Sequence, residues 1–508
     1  MQLFRTKSVE QAIAETGEEG RRLKRSLTWW DLSIMGVAVA VGAGIFSVGA
    51  QAAAFHAGPA VIISFLIAGI VCGAAVMCYA EFASMIPVAG SAYTFTYTTV
   101  GELMAWIIGW DLILEMLFAG SVIAKYWGVY LNELIRLMGG NVNTDLALGS
   151  FNFDLAPIII VAFFTVLLVF GTKIGARVDG AMTVLKIAIV VFVVIVGFFY
   201  VKASNFTPFI PPSQPAAATT GDGAVSAQMA QPLWQWATGM TPSIYGVPGI
   251  LSGAALVFFA FLGFDVVATA SEETKNPHKN VPLGIGVGML LIIVMYMLVA
   301  IVTTGMVSYK DLAKQDSPSL ATAFELVGAD WAAKIISFGI VLGLATVIMV
   351  LLLGLTRIVF AMSRDGLLPR GLSKTGKHGT PAVLQIVVGV VVALVAALFD
   401  IGVLSDMVNI GTLSAFTLVA ISIPIMRKKR PELPRAFRMP GNPWVPILIA
   451  LANFWLMLNL SVLTWIRFLV WLVIGFAIYF SYGYWHARLG KGDLSETLSD
   501  ETDRAVNG

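Results

Sequence analysis

The chain has 508 residues, of which 58% are hydrophobic and only 12% charged, with a net charge of +2 and a mean hydropathy of +0.84. Water-soluble proteins carry about a quarter of their residues as Asp, Glu, Lys or Arg, so a large aqueous domain is excluded and an all-α polytopic membrane protein is expected. Cys72 and Cys78, in one apolar run, offer neither a metal-ligand spacing nor a disulfide framework, and no metal or other cofactor is expected.

Residues 1–27 are polar and lack the apolar region of a signal peptide, and they are read as a cytoplasmic segment. Apolar stretches long enough to span a bilayer follow near residues 30–55, 59–86, 103–133, 156–171, 177–201 and 248–271. A second set lies near 281–307, 332–363, 381–399, 402–425, 443–464 and 466–486, giving twelve predicted transmembrane helices. Pro87 to Tyr97 is apolar but too short to cross, and reads as an interfacial or re-entrant element. Residues 202–247 form the long connection on the outer side, irregular and rich in Pro, Ala, Thr and Gly from 205 onward, with Trp234 and Trp236 expected at headgroup level. Residues 426–442 form a basic cytoplasmic loop, and 489–508 read as a disordered cytoplasmic tail. With the N-terminus inside, 23 of the 32 Lys and Arg residues fall in cytoplasmic connections and four (Arg136, Lys202, Lys310, Lys314) fall outside. That asymmetry places both termini in the cytoplasm and the protein in the cytoplasmic membrane.

Two stretches interrupt the helical pattern. Val41-Gly42-Ala43-Gly44-Ile45-Phe46 places two glycines at the centre of the first span, where each costs about 1 kcal/mol relative to Ala. Phe259-Ala260-Phe261-Leu262-Gly263-Phe264-Asp265 breaks the sixth, with Asp265 read as structural. An opened helix frees backbone N–H groups for an anion at the positive end of the following half-helix. Paired breaks in corresponding halves point to a transporter site at mid-membrane. The breaks are five spans apart, so residues 28–201 and 248–425 read as two inverted five-helix repeats, with the last two helices, 443–488, an appendix.

Together with these, other stretches carry a resemblance. They are Cys78-Tyr79-Ala80-Glu81-Phe82, Gly109-Trp110-Asp111-Leu112-Ile113-Leu114-Glu115, Glu272-Glu273-Thr274-Lys275-Asn276-Pro277, Thr356-Arg357, Ser363 to Pro369, and Asn409 to Leu413. In this order the chain resembles amino-acid permeases of the amino acid/polyamine/organocation superfamily, most closely the branch similar to cationic amino acid transporters. The resemblance covers roughly residues 25–485. It implies a leucine-transporter-like fold and secondary transport of amino acids. Where many members carry Ser or Thr, this chain has Ala43, so one hydroxyl contact to substrate is lost.

On that resemblance, the N–H groups of Gly42, Ala43 and Gly44 receive the carboxylate of an L-amino acid. The carbonyls of Ala40, Phe259, Ala260 and Leu262 receive its ammonium. The plain alternative is that the glycines only let helices pack closely. Glu115 is a candidate for the substrate route, and Leu351 or Leu352 is implied to meet the substrate side chain. Both leucines are bulky and apolar, and a guanidinium facing them loses water without a partner, so small neutral or apolar amino acids are expected over arginine. Lys186 stands alone in an apolar helix, about 10 Å past Asp179 by helical rise; intramembrane ionisable groups are functional by default. Proton-coupled members place a lysine there, which implies Lys186 as the proton carrier, Gly36 as the carbonyl receiving it and Thr346 as a neighbour. Lys125 reads as a basic side chain reaching the outer interface. Glu81 and Arg357 read as salt-bridge or gate residues near the inner face. His56, His278, His378 and His486 are assigned no role.

An intramembrane enzyme needs a polar cluster such as His-Glu-x-x-His or paired aspartates, and a channel needs a continuous polar lining; neither is present. Within the transporter class a proton symporter is expected, with an exchanger and a cationic amino acid or polyamine carrier as alternatives. Substrate, proton and bilayer are the expected partners, with no nucleic acid. The oligomeric state is not legible.

Overall fold

A computed structural model describes residues 5–6, 27–85, 91–140, 144–148, 151–170, 173–215, 229–241, 243–263, 267, 274–315, 318–374, 380–432, 435 and 437–491. Asp265, His378, most of the N-terminal segment, residues 216–228 of the long loop and the tail from 492 lie outside these residues. The described chain is nearly all helical. Six apolar helical stretches are long enough to cross a membrane (Gly44–Phe82, Glu102–Leu137, Lys279–Met306, Asp330–Arg364, Ile401–Lys429 and Val462–His486). Six shorter apolar helices accompany them: Trp29–Ala40, Leu155–Phe170, Met182–Phe198, Gly246–Phe261, Ala382–Leu398 and Trp444–Leu458.

Helix α1 (Trp29–Ala40) starts in a capping box in which Asp31 Oδ2 accepts the Thr28 N–H at 2.8 Å. It ends where Val41 N–H closes back on Val37 O at 2.9 Å, and the chain then leaves the helix at Val41 and Gly42. A wide π-type turn, Gly44–Val48, resumes the path and leads through Gly58 into α2 (Val61–Met85). The expected interfacial element, Pro87 to Tyr97, overlaps α3 (Ser91–Thr99), its residues 87–90 lying outside the described ones, and α4 (Glu102–Leu137) follows. A β-hairpin that the sequence did not suggest, β1 (Asp145–Leu148) with β2 (Phe151–Asp154), leads to α5 (Leu155–Phe170) and α6 (Lys173–Phe198).

In the second half, α7 (Gly246–Val257) tightens into a 3-10 turn, Phe258–Phe261, and is followed by extended Leu262 and by Gly263 at φ +83°. Then come α8 (Pro277–Met306), the short α9 (Leu320–Leu326), α10 (Asp330–Arg364), α11 (Ala382–Leu398), α12 (Ile401–Lys429), α13 (Trp444–Leu458) and α14 (Val462–Ile478). The most extensive helix pairs are α4 with α10 and with α12, α8 with α2 and with α1, α12 with α13, and α5 with α11.

The long connection is less irregular than expected. It holds a short helix, Leu233–Thr238, tied to the α13–α14 junction by Leu233 N–H to Leu460 O at 2.9 Å. Trp234 Nε1 donates to Asn459 Oδ1 at 2.8 Å, so its indole is fixed by protein. The last helix is more than an appendix: Trp106 and Trp110 of α4 donate to the carbonyls of Gly475 and Trp471 at 3.1 and 2.9 Å, and the Trp110 and Trp471 rings stack at 4.5 Å.

Candidate functional site

The two interrupted stretches meet backbone to backbone. A Cβ built on Gly44 lies 2.3 Å from Ala260 Cα, closer than any side chain allows, so only glycine permits this approach. Gly263 is held in the left-handed region, and a Cβ there would lie 2.2 Å from Val39 Cγ1. Gly42 differs, because its Cβ would find nothing nearer than 3.9 Å. The plain packing role therefore holds for Gly44 and Gly263, while Gly42 faces space.

That space is a cavity of about 30 Å³, lined by Val39, Ala40, Gly42, Ala43 and Gly44 from the first break and Phe259, Leu262 and Gly263 from the second. Its remaining wall is Glu115, Met116, Ala119 and Ile123 of α4 with Val347 and Leu351 of α10. Eight of the expected residues (Ala40, Gly42, Ala43, Gly44, Phe259, Leu262, Leu351 and Glu115) thus share one cavity. Ala260 and Leu352 are buried outside its lining. A hole of this size holds about one water, so an amino acid enters only if the breaks move apart.

Tyr296, in the apolar run of α8, escaped the sequence reading. Its fully buried hydroxyl lies 2.6 Å from both Ala40 O and Ala260 O, with its ring against Phe65 and Phe261. One hydroxyl proton serves one of these carbonyls at a time. The two carbonyls expected to meet an ammonium therefore already share a donor that ties the breaks together. A tyrosine amid Leu, Ile, Val and Met at mid-helix was the available signal, since a buried phenol needs a partner. Tyr296→Phe keeps the ring and leaves a buried acceptor unserved, at a cost of about 1 to 3 kcal/mol. Its melting temperature in detergent is expected to fall; an unchanged value would show that the hydroxyl does not hold the breaks.

Lys186 is buried, and its Nζ donates to Ala38 O at 3.2 Å. The sequence put this acceptor at Gly36, two residues earlier in α1. The shift has a physical reason: Ala38 lies in the last turn, whose carbonyls lack intrahelical donors and form the negative end of the helix dipole. Gly343 of α10 makes room for the lysine stem, its built Cβ lying 3.0 Å from Lys186 Cγ. Thr346 is buried one turn further along, its hydroxyl donating to Gly343 O at 3.0 Å. Lys186 thus reaches from α6 to the end of α1, two residues before the cavity-lining Ala40.

Lys125, expected at the outer interface, has its Nζ donating to Phe399 O at 2.8 Å, where it caps the C-terminus of α11. Arg357 is exposed. In the last turn of α4, Arg136 pairs with Glu133 at 2.7 Å and with Glu325 of α9 at 2.5 Å. Burial, then the neighbouring Glu133 carboxylate, pushes Glu325 up to about 7. A carboxyl raised above its ordinary value is costly to ionise in the fold, so the stability linked to Glu325 is fully present below that ordinary value and is lost as the pH rises through 7. Glu325→Gln is expected to flatten the decline of melting temperature between about pH 5 and 8; an undiminished decline would place its cause elsewhere.

Residues 27–483 match the family described as Amino acid permease. The chain is 42% identical over 497 residues to the branched-chain amino acid permease BcaP of Bacillus subtilis, covering 96% of this chain and 99% of that protein. It is 39% identical to the methylthioribose transporter of the same organism, with the same coverage. With the vacuolar cationic amino acid transporter 4 of Arabidopsis thaliana it shares 34% identity over 85% of this chain and 68% of the relative.

Proposed function

The chain belongs to the amino acid permease family, and from that premise we propose that it imports L-amino acids by proton symport through alternating access. As a permease it is a multi-pass membrane protein and not an enzyme. The observation that carries the reading is the cavity in which two broken helices, Glu115 and an apolar wall converge. The substrate carboxylate is assigned to the N–H groups of Gly42, Ala43 and Gly44. Its ammonium is assigned to the Ala40 and Phe259 carbonyls and, once Tyr296 lets go, to Ala260.

The helix pairing supports twelve crossings built as five plus five, because α2 with α8, α4 with α10 and α5 with α11 each join an expected span to the one five later. Both termini are placed in the cytoplasm and the protein in the cytoplasmic membrane on the distribution of basic residues.

Met116, Ala119, Ile123, Val347 and Leu351 present methyl and methylene groups to the substrate side chain, which suits leucine, isoleucine or valine. The branched-chain permease relative is in keeping with this. Glu115 in the same wall favours a second reading, a carrier of cationic amino acids. Competition against labelled leucine separates them: unlabelled isoleucine and valine are expected to compete at concentrations where arginine does not. Arginine as the tightest competitor would establish the second reading and point to Glu115 as its cause.

A further inference from the structure

The last turn of α12 and the loop that joins it to α13 form one segment with two sides. Its inner side grips the end of α2. The Glu81 carboxylate, fully buried, accepts from Arg427 Nε at 2.8 Å, from Arg427 Nη2 at 2.5 Å and from the Met439 N–H at 2.7 Å. Arg435 Nε stands 3.8 Å from it, and Arg427 also donates to Met439 O at 2.8 Å. The outer side carries Lys428, Lys429 and Arg438, all exposed and none ion-paired among the described residues.

The helices show what that outer side meets. Ile421 and Ile425 are exposed on the apolar α12, and Lys428 and Lys429 lie one turn further along the same face. On α13, Trp444 is 73% exposed and begins a stripe continued by exposed Leu448, Leu451 and Trp455 at helical spacing. In a bilayer both exposed apolar stripes would face hydrocarbon, which sets the cations where two helix surfaces pass into headgroups, beside a tryptophan suited to that level.

We propose that Lys428, Lys429 and Arg438 form a binding surface for anionic phospholipid headgroups, and that the bound lipid steadies the grip of the same segment on Glu81. Complementary charge at the membrane surface supplies the attraction. The backbone between Arg427 and Met439 carries it to α2, which packs against α7 and α8 around the breaks. A role confined to orienting the chain during insertion predicts no effect of lipid charge on the folded protein.

The test uses the full chain in nanodiscs of phosphatidylcholine alone or mixed with phosphatidylglycerol, where orientation does not matter. The melting temperature of wild type is expected to rise with phosphatidylglycerol and the rise to shrink in high salt. Lys428→Gln/Lys429→Gln/Arg438→Gln should melt as wild type does in phosphatidylcholine and gain nothing from the anionic lipid, while each single substitution loses part of the gain. Equal melting of wild type in the two lipids, or a full gain in the triple variant, overturns the proposal. Melting needs no substrate, so this result stands apart from the identity of the transported amino acid.

Discussion

Lys186→Ala is expected to abolish accumulation of substrate driven by an inward proton gradient. A proton entering with each neutral zwitterion carries one charge, worth about 2.3 kcal/mol per 100 mV, or roughly fifty-fold accumulation at a factor of ten per 1.4 kcal/mol. That whole factor should vanish in the variant. The expectation rests on the contact of Lys186 Nζ with Ala38 O, which links the charged lysine to the end of α1. Loss of the proton leaves a weaker, uncharged donor and so loosens the helix end beside Ala40. Lys186→Arg, permanently charged, is expected to lose the pH response of uptake. The lysine stem is packed against Gly343, so folding of each variant is checked by its melting curve. Wild-type accumulation by a folded Lys186→Ala would remove the lysine from the coupling.

Gly44→Ala should lose substrate binding by about tenfold or more. Its added methyl would lie 2.3 Å from Ala260 Cα, where only backbone could yield; overpacking of this kind costs about 1 to 3 kcal/mol, and 1.4 kcal/mol is a factor of ten. Gly42→Ala is the control, because its methyl meets nothing within 3.9 Å. It is expected to fold as wild type and weaken binding only by filling part of the cavity. Equal affinities in the two variants, measured by equilibrium binding in detergent, would contradict a site built on the close approach of the breaks.

The breaks were legible because glycine at mid-helix in membrane has few uses, and two such sites five spans apart reinforce each other. Leu351 and Glu115 could be placed in the wall because the resemblance located their spans. The sequence could not separate Leu351 from its neighbour Leu352, since two adjacent leucines differ only in helix rotation. Ala38 in place of Gly36 is a similar difference, half a turn of a helix whose last carbonyls all compete for one lysine. Tyr296 was hidden for another reason: its partners, Ala40 O and Ala260 O, are backbone atoms 256 and 36 residues away, and no side-chain pattern reports them. The anchoring of α14 on α4 through Trp106 and Trp110 was likewise invisible, because tryptophans in a membrane chain read first as interface residues.

The central claim is that an L-amino acid is moved through the cavity between the two breaks in company with a proton. The measurement closest to it is uptake of labelled L-leucine into proteoliposomes that contain no amino acid, with an inward proton gradient imposed and sodium absent. Accumulation above the external concentration, abolished by a protonophore and by Lys186→Ala, is the predicted result. Uptake only when the vesicles are preloaded with amino acid, or only when sodium is supplied, would contradict it.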